Sequence, residues 1–116
     1  MAAYQFKNAT GDSIGTAGLD IYTVPSGLKS IVIGCTVTNI TGASLPVEVK
    51  LIKSDNNVIH ISKSERVLGG TTHDFLSGKK LVLDAGEKIN VVSKTANSLD
   101  CVVSVLEDVD LSLIHI

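Results

Sequence analysis

The run Lys29-Ser30-Ile31-Val32-Ile33-Gly34-Cys35-Thr36-Val37-Thr38-Asn39-Ile40 is rich in β-branched residues and alternates in character from one position to the next. Successive side chains of an extended chain point to opposite sides. Ile31, Ile33, Cys35 and Val37 therefore share one face, with Val32, Gly34, Thr36 and Thr38 on the other. The spacing predicts a long, half-buried strand.

Working outward, Leu45 to Lys53 sets Leu45, Val47, Val49 and Leu51 against Pro46, Glu48 and Lys50, a second half-buried strand. Pro46 near its start suits an edge or a first position, because proline has no N–H to give to a ladder. Lys53-Ser54-Asp55-Asn56-Asn57 links it to Val58–Ser62, so residues 45–62 read as a hairpin. On the N-terminal side, Leu19 to Val24 reads as a short strand closed by Val24-Pro25-Ser26-Gly27, where proline presets a turn corner and glycine accepts a positive φ. The polar, glycine-dotted segment before it makes residues 1–18 an N-terminal arm. Ser62 to Gly78 shows no clean period and is expected to be an ordered long loop with one short strand. Leu81–Asp84, a turn at Asp84-Ala85-Gly86-Glu87, and Ile89–Ser93 read as a second hairpin. Cys101, Val103 and Val105 then share a face of a final strand over Asp100–Glu107.

Composition agrees with this pattern. Val (14), Ile (11) and Thr (9) fill 34 of the 116 positions, and branched Cβ atoms favour strands. No window of helical length carries apolar residues at i, i+3, i+4 and i+7. About seven or eight strands in one domain imply two packed sheets, because a single sheet would leave an apolar face wet. The expected fold is all-β: a two-sheet antiparallel β-sandwich, immunoglobulin-like or jelly-roll-like, over residues 1–116 as a single domain. Leu111-Ser112-Leu113-Ile114-His115-Ile116 resembles the translation of a transposase adapter used in sequencing libraries. Residues 111–116 are read as a non-native tail, the alternative being a genuine last strand.

Charge and aromatic content narrow the function. Ten Lys and Arg against twelve Asp and Glu give a net charge of -2, so no basic surplus exists to neutralise phosphates, and neither nucleic acid nor an anionic membrane is an expected partner. No apolar run reaches the ~20 residues of a membrane span, and the start lacks a charged flank followed by an apolar stretch, so the chain is read as soluble and unexported. Tyr4, Phe6, Tyr22 and Phe75 are the only aromatic residues, too few for stacking platforms.

Reactive chemistry is equally sparse. Cys35 and Cys101 fall on apolar strand faces, where thiols act as small hydrophobes. Whether they face each other across the sandwich is open. His60, His73 and His115 follow no zinc-ligand spacing. His60 is expected to face solvent, and His73-Asp74 lacks further ligands for a cation. Gly78-Lys79-Lys80 lacks the earlier glycine and the hydroxyl residue of a phosphate loop. Asp55-Asn56-Asn57 is a hairpin tip rather than a calcium loop. Asp84, Glu87, Glu107 and Asp108 sit at turns and strand ends, where solvated caps are the ordinary reading, and Lys79, Lys80 and Lys88 form a small basic patch of soluble surface. No catalytic residue, cofactor, metal or small-molecule substrate is expected. A mean hydropathy of +0.32 with 19% charged residues exceeds what one small core absorbs, which predicts association with copies of itself or with a partner.

Ile21-Tyr22-Thr23-Val24-Pro25-Ser26-Gly27 leading into Lys29–Ile33, then Val37-Thr38-Asn39-Ile40-Thr41-Gly42, Leu81-Val82-Leu83-Asp84-Ala85-Gly86-Glu87, and Ala96–Asp100 before Val102-Val103-Ser104 form a series over residues 19 to 107. In order and spacing this series resembles small virion proteins of tailed bacteriophages. The resemblance implies a β-sandwich of immunoglobulin-like or jelly-roll-like type that serves as a structural part of the particle, at the capsid as decoration, at the neck, or at fibre bases. It implies self-association, contacts with other virion proteins, and assembly in the host cytoplasm, and it carries over no catalytic residues. Tyr4, Phe6 and Phe75 are the expected interface anchors, since aromatic side chains dominate interface energetics. The alternative is a receptor- or carbohydrate-binding domain of a fibre, with its site on Ser62–Gly78.

Overall fold

The computed structural model describes residues 4–108; the tail at 111–116 lies outside them. Nine strands follow in order: β1 (Tyr4–Ile14), β2 (Leu19–Thr23), β3 (Lys29–Asn39), β4 (Leu45–Ile52), β5 (Val58–Val67), β6 (Thr72–Asp74), β7 (Leu81–Leu83), β8 (Lys88–Ser93) and β9 (Leu99–Asp108). They form two antiparallel sheets. The first runs β1-β9-β3-β6, with β7 also on β3, and the second runs β2-β8-β4-β5. Among the described residues, only β4–β5 is a hairpin of consecutive strands in one sheet. Apart from β6 and β7, which both flank β3, every other connection crosses from one sheet to the other. That alternation is a jelly-roll rather than an immunoglobulin wiring, in which hairpins within a sheet predominate.

The core lies between the sheets. Val37, Val103 and Val105 from the first sheet meet Val47, Val49, Ile89 and Val91 from the second, all fully buried. Burying each such side chain contributes about 1.5–3 kcal/mol. Leu45, Val47 and Val49 point inward as the alternation predicts. Pro46 lies one residue ahead of the point where β8 joins β4, at Val47–Ser93, so its missing N–H breaks no bond to that neighbour. The Lys53–Asn57 link is the predicted hairpin turn, closed by Lys53 N–H to Asn57 O at 2.8 Å, with Asn56 at φ 69°.

Four expectations change. The alternation of β3 is interrupted by a bulge between Val32 and Gly34, opposite an unbroken β9. A bulge inserts one unpaired residue and shifts the phase of everything before it. Ser30 and Val32 therefore point inward with Cys35 and Val37, while Ile31 and Ile33 turn outward. Secondly, the arm expected over residues 1–18 contains β1, an edge strand held to β9 from Tyr4–Asp108 to Gly11–Cys101 without interruption. Before its last residue, the buried Ile14, its inward positions are small or polar, Ala9 and Gly11 among them, so it carries no apolar stripe. Thirdly, the loop expected over Ser62–Gly78 is in part strand, because β5 continues to Val67 and β6 spans Thr72–Asp74. Finally, the hairpin expected over Leu81–Ser93 is a crossover, with β7 pairing with β3 and β8 with β4 and β2. Its turn is held by Val24, whose N–H donates to Glu87 O at 2.9 Å while its carbonyl accepts from Gly86 N–H at 3.0 Å.

Candidate interaction surface

The two outer faces differ in chemistry. On the second sheet, register sets Asp20, Asn90, Lys50 and His60 in one row across four strands. Lys88 pairs with Asp20 at 3.4 Å, and Glu48 receives His60 at 2.7 Å and Lys63 at 3.7 Å. The His60 hydrogen bond holds the Glu48 carboxyl below the usual carboxylate range. This face is ion-paired and solvated, and His60 stands on it as expected.

The first sheet presents Phe6, Leu106, Ile31 and Val82 as a row across β1, β9, β3 and β7. Phe6 is 78% exposed and Val82 63%. Ile33, pushed outward by the bulge, lies beside this row, and a shallow groove of about 250 Å³ runs between Phe6, Asn8, Ile33 and Ser104. Next along the strands come Thr10, Val102 and Thr36, a row that ends at Asp74, and then Thr38 opposite Asp100. An exposed apolar stripe with no charged member, bordered by polar residues, has the composition of an interface core and its rim.

Beneath the apolar row lies a buried polar cluster. The Tyr22 hydroxyl donates to Glu107 Oε2 at 2.5 Å and contacts Ser30 Oγ at 2.6 Å, and Lys7 Nζ reaches Glu107 Oε1 at 3.4 Å. Burial, then the Glu107 hydrogen bond, pushes the Tyr22 phenol up to about 12. Glu107 is 3% exposed and Glu87 is 4%, which corrects their reading as solvated caps. Glu87 accepts from Asp84 N–H at 2.9 Å and from Lys53 Nζ at 3.0 Å, and so pins the β7–β8 crossover. Both carboxyls tie strands together, a role strand-end position alone does not reveal. The small basic patch is partly neutralised, since Lys88 is held by Asp20.

Cys35 and Cys101 are buried, unlinked and on neighbouring strands of one sheet rather than across the sandwich. Val37 pairs with Cys101 and Cys35 with Val103, so the thiols are diagonal neighbours. Their mutual hydrogen bond, reinforced by burial, raises the Cys101 thiol and keeps it protonated. Such a thiol is a poor nucleophile.

The three expected anchors part company. Phe6 stands on the apolar row. Phe75 packs half-buried against the core, edge-on to His73 with ring centroids 4.6 Å apart, and His73 pairs with Glu65 of the opposite sheet at 2.7 Å. Tyr4 is placed by its backbone as the first residue of β1, opposite Asp108. Sequence reading missed Ile31, Val82 and Leu106 as surface residues. The available signal was Gly34 inside an otherwise continuous strand, a common mark of a bulge.

No family model matches the chain, and no curated protein matches it in sequence. Solved structures do share its fold. A chain from Bacillus endospore appendages, described as a family of disulfide-linked pili, superposes with a TM-score of 0.54 at 9% identity, over 91% of this chain and 86% of that one. A chain from infectious bursal disease virus, Gx strain, superposes with a TM-score of 0.58 at 12% identity over 98% of this chain, which spans 34% of the viral chain. At these identities the likeness is one of fold: this is an all-β sandwich of a shape also found in a virus and in a pilus.

Proposed function

We propose that the chain is a non-enzymatic structural component of a tailed-bacteriophage virion, a capsid decoration or head/neck accessory protein assembled in the host cytoplasm. It acts by self-association and by contact with other virion proteins. The observation that carries this reading is the exposed apolar row Phe6–Leu106–Ile31–Val82, with no charged member, across the outer face of the first sheet. The sequence series over residues 19 to 107 supports the phage assignment. The fold shared with a viral and a pilus chain supports a structural role.

Quantitative mass spectrometry of purified particles tests it. The expected result is this chain at many copies per particle; its absence from washed particles of the encoding phage overturns the reading.

A further inference from the structure

Five strands border open edges of the sandwich, and they are not equally guarded. β5 loses register with β4 twice, between Val47 and Val49 and again between Val49 and Lys50, and carries Lys63, Glu65 and Arg66. β2 has five residues and its own bulge, between Asp20 and Tyr22, and β6 and β7 have three residues each. Bulges, short length and charges are the usual devices that stop a sheet edge from recruiting another strand. β1 has few of them. Its register with β9 is continuous from Tyr4 to Gly11, and no strand among the described residues lies on its other side. Phe6 stands exposed on this edge, and the one charge in the run, Lys7, is drawn toward Glu107 of its own chain.

We infer that β1 pairs antiparallel with β1 of a second copy, about a two-fold axis that sets Phe6 opposite Phe6. The inference rests on the reading of this chain as an assembling subunit and names its contact. Directly opposed residues share a face, so in a self-pairing the two opposed residue numbers must sum to an even value. Centring the pair on Lys7 opposes two like charges and is excluded. Centring it on Asn8 sets Phe6 against Thr10 and leaves the apolar rows offset. Centring it on Phe6 places each Lys7 against the neutral amide of Gln5 and joins the two four-residue rows into one stripe across both copies. A second copy supplies this match through symmetry, with the same patch on both sides. A single strand pairing buries less than the ~800 Å² per partner of a standard stable interface. The isolated dimer is therefore weak, and it is reinforced where many copies stand together.

Cross-linking reads the register directly. In the Phe6-centred pair, Phe6→Cys places two Cα atoms about 5 Å apart, within disulfide reach, whereas Asn8→Cys places its pair more than about 10 Å apart. Each variant of the full chain is oxidised with diamide and run on a non-reducing gel beside wild type, whose two thiols are buried. Phe6→Cys is expected to form covalent dimer at least about tenfold faster than Asn8→Cys or wild type, with an unchanged melting temperature, because the side chain is exposed. Equal rates for Phe6→Cys and Asn8→Cys, or faster linking of Asn8→Cys, overturn the inference. Failure of cross-linking in a chain that particles contain at high copy rejects this contact alone. Cross-linking in a chain absent from particles upholds the contact and rejects the virion role.

Discussion

Asn39 shows how much one side chain can hold. It is fully buried at the end of β3. Its Nδ2 donates to Ala43 O at 2.7 Å and to Val67 O at 2.9 Å, while its Oδ1 accepts from Thr41 N–H and Oγ1. The β3–β4 loop and the end of β5 are thus fixed by one amide. Asn39→Ala leaves buried donors and acceptors without partners, and we expect a loss of about 3 kcal/mol in denaturant unfolding. Tyr22 makes a pH-dependent contribution. Its phenol rises from an ordinary 10.0 to about 12 on folding, so between those values the unfolded chain has released a proton that the folded chain keeps. Stability is fully present below pH 10 and falls as pH rises through 12, by at most about 3 kcal/mol. Urea melts from pH 9 to 12 should show this slope in wild type, and it should be reduced in Tyr22→Phe.

At the scale of elements, Gly69 sets the packing of two connections. A Cβ there would lie 2.6 Å from the backbone carbon of Gly42 and 2.9 Å from Ala43 N, so the β5–β6 and β3–β4 connections touch backbone to backbone. Gly69→Ala must push them apart, and we expect about 1–3 kcal/mol of destabilisation by thermal melting. The elements differ in how far sequence revealed them. β4 was legible because its inward residues Leu45, Val47 and Val49 alternate cleanly with polar ones, and the Asp55-Asn56-Asn57 tip carries its own turn chemistry. β1 was not, since an edge strand with Ala9 and Gly11 inward buries little apolar surface. The second half of β5 was hidden for a similar reason, its residues Lys63–Arg66 being exposed on an edge. The Leu81–Ser93 crossover was illegible in principle: Asp84-Ala85-Gly86-Glu87 has hairpin composition, and only the sheet each flanking strand joins distinguishes a hairpin from a crossover. The apolar row was misassigned through the Val32–Gly34 bulge, because a period-2 reading places Ile31 inside unless the extra residue is known.

The whole molecule is two-sided. One outer face carries Asp20, Lys50, Glu48, His60 and Lys88 in ion-paired rows, and the other carries Phe6, Leu106, Ile31 and Val82 amid threonines. With a net charge of only -2, long-range repulsion between copies is small, so contact is governed by which face meets which. An ion-paired face outward and the apolar row with its β1 edge inward orient a subunit on a larger surface, and this is the arrangement the proposed virion role requires.

The pairing of β1 with β9 also bears on synthesis. Tyr4 meets Asp108, and Gly11 meets Cys101, so β1, once made, must wait for β9. On a ribosome adding about 5–20 residues per second, the N-terminal strand spends several seconds without its neighbour, and loop closure over nearly the whole chain must be met before that contact forms. During that interval the sticky edge of a nascent chain is open on both sides, so neighbouring chains on one messenger are placed to compete for it before each has finished its own sandwich.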